Sequence, residues 1–147
     1  MRITMETDYA IRILFYLCKK NTRCDSTDMV QQLGIPPRYC LKILRRLSAA
    51  GMIRSYPGKG GGYEPYKAPC DITLKDIVEL FEGPIQLSRC QDEAFDCTRV
   101  SDRECCVFHR IFAVLGEQIA QKLDRITLAA VTDHTRSINE ILSLIQP

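Results

Sequence analysis

Apolar residues in the first fifty positions return at helical spacing, and the breaks between them mark three short helices. Between Thr7 and Lys20, Ala10, Ile13, Leu14 and Leu17 recur every three or four residues, while Ile11, Phe15 and Cys18 widen the apolar surface. A helix of that kind is covered on more than one side, and Thr4 or Thr7 is placed to cap it. Ser26 suits the N-cap of a second helix that stops at Leu33-Gly34, where glycine is the usual terminator. Pro36-Pro37 suits the first turn of a third helix, about Arg38 to Ala50, and Gly51 suits its end. A tight turn between the second and third helices predicts a helix-turn-helix.

The third helix has two faces. Cys40, Ile43, Leu44 and Leu47 form an apolar stripe, and Arg38, Lys42, Arg45 and Arg46 return on the other side with Tyr39 beside them near the N-terminal end. That pattern fits a recognition helix, whose basic side chains neutralise phosphates or pair with guanine edges in the major groove. The stretch "MIRSYPGKGGGYEPY" then predicts a strand, a glycine turn carrying Lys59, and a returning strand. Glycines concentrate where a chain turns sharply or passes close to another backbone. A nucleotide-binding P-loop is excluded by the missing Gly-Lys-Ser/Thr ending and the lack of a parallel-sheet pattern. A β-wing follows, with Lys59 near a phosphate or minor groove.

Residues 105 to about 131 predict one long amphipathic helix whose stripe, Phe108, Phe112, Leu115, Ile119 and Ile126, falls near heptad spacing. It is too long and apolar to be buried against so small a winged helix, so it requires a partner, which a two-fold dimer supplies. A final helix, about Arg136 to Ile145, is expected to pack back on this arrangement. The fold class is therefore mainly α: a winged helix-turn-helix with a small β-wing plus a long C-terminal dimerisation helix. The predicted division is 1–82 for DNA binding, 83–104 for a cysteine loop, and 105–147 for dimerisation.

The 147 residues and 46% apolar content suffice for about one folded domain. No stretch approaches a membrane span, and Met1 to Lys20 lacks the pattern of a secretory leader, so a cytoplasmic protein without a membrane partner is expected. The net charge of +2 conceals an asymmetry: residues 1–70 carry twelve Lys/Arg against five Asp/Glu, and residues 71–147 carry eight against thirteen. The first half is suited to meet a polyanion.

Cys90, Cys97, Cys105, Cys106 and His109 lie within "RCQDEAFDCTRVSDRECCVFHR", which holds half of the eight cysteines. In a reducing compartment such a cluster points to metal or redox chemistry rather than a disulfide framework. Thiolates from an irregular loop can surround an iron-sulfur cluster, with three sulfurs available and one spare. Ser101 and Glu104 have capping-box spacing, which would place Cys105 and Cys106 in the first turn of the long helix, where the dipole favours a thiolate. Cys105 then falls on the apolar stripe as a buried small hydrophobe, whereas Cys106, about 100° round the helix, shares a face with His109 and is the better ligand. Zinc is the weaker alternative because close CxxC-like pairs are missing. Cys18, Cys24, Cys40 and Cys70 require no role beyond packing.

"MRITMETDYAIRILFYL", "LKILRRLSAAGMIRSYPGKGGGY", "ITLKDIVELFEGPI" and the cysteine loop together resemble, in order and over nearly the whole chain, the IscR/NsrR-type regulators, the Rrf2 family. The resemblance implies a dimeric bacterial winged-helix transcription regulator that, in many members, senses through an iron-sulfur cluster. The opening Thr7-Asp8-Tyr9 is more similar to the NsrR branch. Pro57 and Glu64-Pro65 depart from the usual wing, and the cysteine spacing is longer than in either branch. By resemblance the ligands are Cys90, Cys97 and Cys106, with a fourth from Asp8 of the partner subunit, as in NsrR, or from His109, as in IscR. The NsrR-like opening favours Asp8.

The sequence thus predicts a homodimeric repressor-type regulator of double-stranded operator DNA, read by Arg38, Tyr39, Lys42, Arg45, Arg46 and Lys59. An iron-sulfur cluster of two or four irons, answering to nitric oxide, redox state or iron-sulfur status, would set its affinity. The alternatives are a cluster-free thiol switch on the same fold and a thiol enzyme or electron carrier. The last lacks a Cys-x-x-Cys motif, a base near a nucleophile and a cofactor fold.

Overall fold

The structure, a computed structural model, describes residues 3–99 and 102–146. It is mainly helical, with one two-stranded antiparallel sheet. Helix α1 (Met5–Lys20) is capped by Thr4, and Thr7 is buried instead, its hydroxyl donating to Glu82 Oε1. Helix α2 (Ser26–Leu33) begins one residue earlier than expected, because Asp25 accepts from Thr27 N–H at 2.6 Å and so takes the capping position expected of Ser26. Helix α3 (Pro37–Ala49) has proline in its first turn. Its stripe of Cys40, Ile43, Leu44 and Leu47 is fully buried, against Ala10, Ile13, Leu14 and Leu17 of α1 and Met29 of α2.

Strands β1 (Ile53–Tyr56) and β2 (Gly62–Pro65) pair with Ile53 opposite Pro65 and Tyr56 opposite Gly62. The returning strand of the wing is anchored by a bridge between Cys24 and Tyr63, whose N–H and C=O groups exchange bonds of 2.9 Å. Two glycines make this geometry possible. A Cβ on Gly61 would stand 2.1 Å from the Tyr56 carbonyl oxygen, and one on Gly62, at φ +137°, would stand 2.6 Å from that of Cys24.

Helix α4 (Leu74–Glu82) starts with a Thr73–Asp76 capping box and buries Ile77 and Val78. A long irregular segment then leads to α5 (Val107–Asp124), α6 (Leu128–Thr132) and α7 (Ile138–Ser143). The single helix expected from 105 to about 131 is therefore two. Its stripe reaches Ile126, but Thr127 turns extended and its hydroxyl accepts from Ala130 N–H at 3.2 Å, starting α6 afresh. The Thr73–Thr127 bridge, with Leu74 N–H to Ile126 C=O and Leu128 N–H to Ile72 C=O at 2.9 Å, returns the chain to the winged helix. Leu128 is 0% exposed within the core. Helix α7, expected to pack back, buries none of its residues, and Ile138 is 75% exposed. Its six residues are held by the Ser137–Glu140 capping box rather than by an apolar face. Among the described residues no helix is long and apolar enough to cross a membrane.

Candidate nucleic-acid interface and cysteine site

Burial of one side of α3 turns the other outward. Arg38, Tyr39, Lys42 and Arg45 are exposed along it, and Lys59 is exposed at the wing tip. Arg38, Arg45 and Lys59 take part in none of the ion pairs found among the described residues. Tyr39 meets Tyr9 of α1 edge to face at 6.2 Å. Lys42 is paired with Glu6 of α1. Arg46, expected on the DNA-facing side, lies at the flank of the helix and is turned toward α4. Its Nη2 donates to the Leu80 carbonyl at 2.6 Å, its Nη1 stands 3.3 Å from Glu6 Oε2, and its guanidinium covers the Phe81 ring at 4.3 Å.

Glu6, which sequence reasoning missed, therefore ties α1 to two cations of α3. Glu82, also missed, ties α1 to α4. Its Oε1 accepts from Thr4 N–H at 2.9 Å and from the hydroxyls of Thr4 and Thr7. Burial pushes this carboxyl up, but the bonds from Thr7 and Thr4 outweigh it and hold Glu82 below the usual range.

The cysteine loop assembles at the foot of α5. Cys90, in the short turn Arg89–Gln91, Cys97, and Cys106, the residue that precedes α5, line one cavity of about 450 Å³. Its remaining walls include Arg89, Phe95, Arg99, Phe108 and Phe112, an apolar enclosure with two cations that suits an anionic guest. Ser88 starts the Cys90 turn, with Gln91 Oε1 accepting from Leu87 N–H at 2.7 Å and Ser88 N–H at 3.2 Å. Arg89 adjoins Cys90 and Arg99 lies two residues after Cys97, and that proximity in sequence was the available signal for them.

The start of α5 differs from expectation. Ser101 lies outside the described residues. The turn Arg103–Cys105 is capped by Asp102, which accepts from Glu104 N–H at 3.0 Å, and α5 begins only at Val107. Cys105 and Cys106 thus precede the first helical turn, and Cys106 supplies no side-chain cap. The register that would have buried Cys105 does not extend to it: Cys105 is exposed, and its thiol donates to Asp102 Oδ2 at 3.1 Å. That hydrogen bond, with smaller effects of burial and Glu104, raises the Cys105 thiol above its ordinary range.

Asp8 and His109 do not line the cysteine cavity. Asp8 pairs with Arg12 at 2.8 Å across one turn of α1. His109 faces a separate cavity with Lys75, Glu79 and Gln91, where its Nδ1 is buried without a hydrogen-bond partner. Among the described residues no three His, Cys, Asp or Glu side chains stand close enough to hold a single metal ion. The other cysteines divide by burial. Cys24 and Cys40 are buried and Cys18 is half-buried against the core, where burial pushes its thiol up to about 11, whereas Cys70, expected to pack, is exposed.

Residues 3–134 match the sequence model of a family described as Rrf2, iron-dependent transcriptional regulator. The HTH-type transcriptional regulator rrf2-like of Rhodobacter capsulatus is 29% identical over 134 residues, covering 86% of this chain and 89% of its own. An HTH-type transcriptional regulator of Aquifex aeolicus is 30% identical over 103 residues, covering 69% and 72%. Among solved structures, T. potens IscR superposes with a TM-score of 0.71 at 22% identity over 92% of this chain and 89% of its own. CymR (YrzC), the global cysteine regulator of B. subtilis, gives 0.69 at 24% over 92% and 99%. These two share the fold.

Proposed function

Because this chain belongs to the Rrf2 family and is a transcriptional regulator, we propose that it binds double-stranded operator DNA as a homodimer, with affinity set by an iron-sulfur cluster held by Cys90, Cys97 and Cys106. The observation that carries this reading is that those three cysteines, from three separated positions, line one cavity at the foot of α5. The fit is chemical: thiolates are the usual ligands of such clusters, and the Arg89 and Arg99 side chains supply cations beside an anionic group. When bound, the cluster would supply a site reactive toward oxidants or nitric oxide and filled only when iron and sulfide are available. Asp8 of the partner is the preferred fourth ligand. On α1 it is exchangeable between a distant partner and Arg12, whereas His109 is enclosed in another cavity.

The remaining parts fit DNA binding. Arg38 and Lys42 face outward on α3 for bases, Tyr39 and Arg45 stand beside them for backbone contacts, and Lys59 extends from the wing toward a phosphate. Arg46 acts indirectly, by fixing α3 to α4. The exposed apolar side of α5, with Val107 at 63%, Phe108 at 53% and Val114 at 57%, supplies the dimer surface. Two copies then present two recognition helices to half-sites about one DNA turn apart.

Protein purified without air is expected to absorb in the visible range and to carry iron and acid-labile sulfide. Cys90→Ala, Cys97→Ala and Cys106→Ala are each expected to lose both and to shift operator affinity, while Cys105→Ala retains them. Colourless protein after reconstitution, with DNA binding that answers only to thiol oxidation, would overturn the cluster. It would favour the thiol switch, for which the exposed Cys105 beside Cys106 is the supporting observation.

A further inference from the structure

A single side chain ties the two sides of the cysteine cavity together. Arg103 stands in the short turn three residues before Cys106, and its main chain is fixed there by Cys106 N–H, which donates to the Arg103 carbonyl at 3.0 Å. The guanidinium reaches back across the loop. Its Nη1 donates to the Asp92 carbonyl at 2.8 Å, and its Nη2 donates to the Glu93 carbonyl at 3.2 Å and to the Phe95 carbonyl. Those three carbonyls belong to the stretch that joins Cys90 to Cys97.

We propose that Arg103 is a positioning residue for the three-cysteine site, holding the Cys90–Cys97 loop against the foot of α5 before any cofactor arrives. The proposal rests on the reading that these three cysteines act on one group. Its physical basis is the planar fork of arginine, which offers several N–H donors at once, whereas lysine offers a compact charge that does not span three carbonyls. A loop without regular structure otherwise loses its conformational freedom at the moment of binding, and pre-organisation removes that cost from the binding step. The guanidinium is spent on the loop carbonyls of Asp92, Glu93 and Phe95, so Arg103 acts through the loop rather than as a ligand.

The test uses the full chain, prepared without air, as wild type and as Arg103→Ala, Arg103→Gln and Arg103→Lys. In metal-free protein, iodoacetamide modification of each cysteine is followed by mass spectrometry, with buried Cys40 reporting on the global fold. Arg103→Ala is expected to raise the rates at Cys90 and Cys97 by roughly tenfold, as local opening becomes more frequent, while Cys40 stays protected. Lys is expected to behave like Ala, and Gln to fall between them. After reconstitution with ferrous iron and sulfide, the visible circular dichroism of the Ala variant should be altered and its bleaching by a chelator several-fold faster. Unchanged rates at Cys90 and Cys97 in the Ala variant would overturn the clamp. So would full restoration by Lys, which would mean that charge alone suffices. If Ala also exposes Cys40, the Gln variant decides by the same criterion. Failure of the wild type to take up iron and sulfide would sink the cluster reading and leave the modification rates to judge the clamp.

Discussion

Helices α3 and α5 both alternate apolar and charged faces, yet they end in opposite circumstances. The stripe of α3 is fully buried within its own chain, so its basic side is the one left to face outward. On α5 only Gly116 and Ala120 are buried, and Val107, Phe108, Ile111, Val114 and Leu115 remain 43–63% exposed. The apolar face of α3 is thus closed within the chain, whereas α5 half-buries Phe112 and Ile119 of its expected stripe and leaves open a face that also takes in Val107, Ile111 and Val114. Burial, not amphipathicity, tells an apolar face that is closed within the chain from one that is left open.

Leu128 breaks the comparison most severely, because it lies beyond α5 in sequence but inside the N-terminal core in space. Leu128→Ala is expected to cost about 2–5 kcal/mol in urea unfolding. Leu115→Ala, on the exposed stripe, should leave the subunit's own fold nearly unchanged and weaken self-association, seen as a concentration-dependent mass in sedimentation. Equal losses of stability from both substitutions would erase the distinction between the two helices.

On α3 the sharper contrast is between neighbours. Arg38→Ala is expected to weaken operator binding by about 1–3 kcal/mol in a mobility-shift titration, and Arg45→Ala to reduce the salt dependence by about one ion. Arg46→Ala should instead lower thermal stability first, since its partners are Leu80, Phe81 and Glu6 rather than solvent.

Glu6 predicts a smaller change of opposite sign. Its pairing with Lys42 competes with any phosphate for that ammonium. Glu6→Gln is therefore expected to tighten operator binding by about 0.2–1 kcal/mol, the range of a partly exposed ion pair, with a steeper salt dependence. Unchanged affinity would show that Lys42 is not a DNA contact.

The smallest effect concerns Glu82. Its carboxyl is held below the usual range in the folded chain, against the upward push of burial, by the bonds from Thr7 and Thr4. Its stabilising contribution is complete above the ordinary carboxylate range and disappears as pH falls through the folded value. The melting temperature of Glu82→Gln should lie below that of the wild type at neutral pH, and the gap should close in acid.

What the sequence discloses of this fold is what neighbouring residues decide. Pro36-Pro37, Gly34 and the glycines of the wing are local signals, and α2, α3 and the hairpin stand where they point. The limits appear where a distant group intervenes. Arg46 reads as one more basic residue on α3 until Leu80, thirty-four positions away, takes its donor. Ile126 continues the α5 stripe at helical spacing, and only its pairing with Leu74 shows that the helix has already ended. At the cysteine site, spacing pointed to Cys90, Cys97 and one of Cys105 and Cys106, whereas the choice between the last two assumed a helix register that starts too late to include either, and it is the loop that brings Cys106 to the cavity of Cys90 and Cys97. Arg103 carries no motif at all. Its role exists only once the 92–95 carbonyls come within its reach.

Gly116 gives α5 a mechanical character. It lies near the midpoint of the eighteen-residue helix, and a Cβ there would stand 3.2 Å from the Ile85 carbonyl oxygen, so the helix rests on the chain beneath it at that point. About 14 Å of helix extends to each side, ending at Cys106 in one direction and at the return toward Leu128 in the other. A side chain at 116 would press on that carbonyl and lift α5 from the chain beneath it, so a single added methyl group would be felt at both ends of the helix.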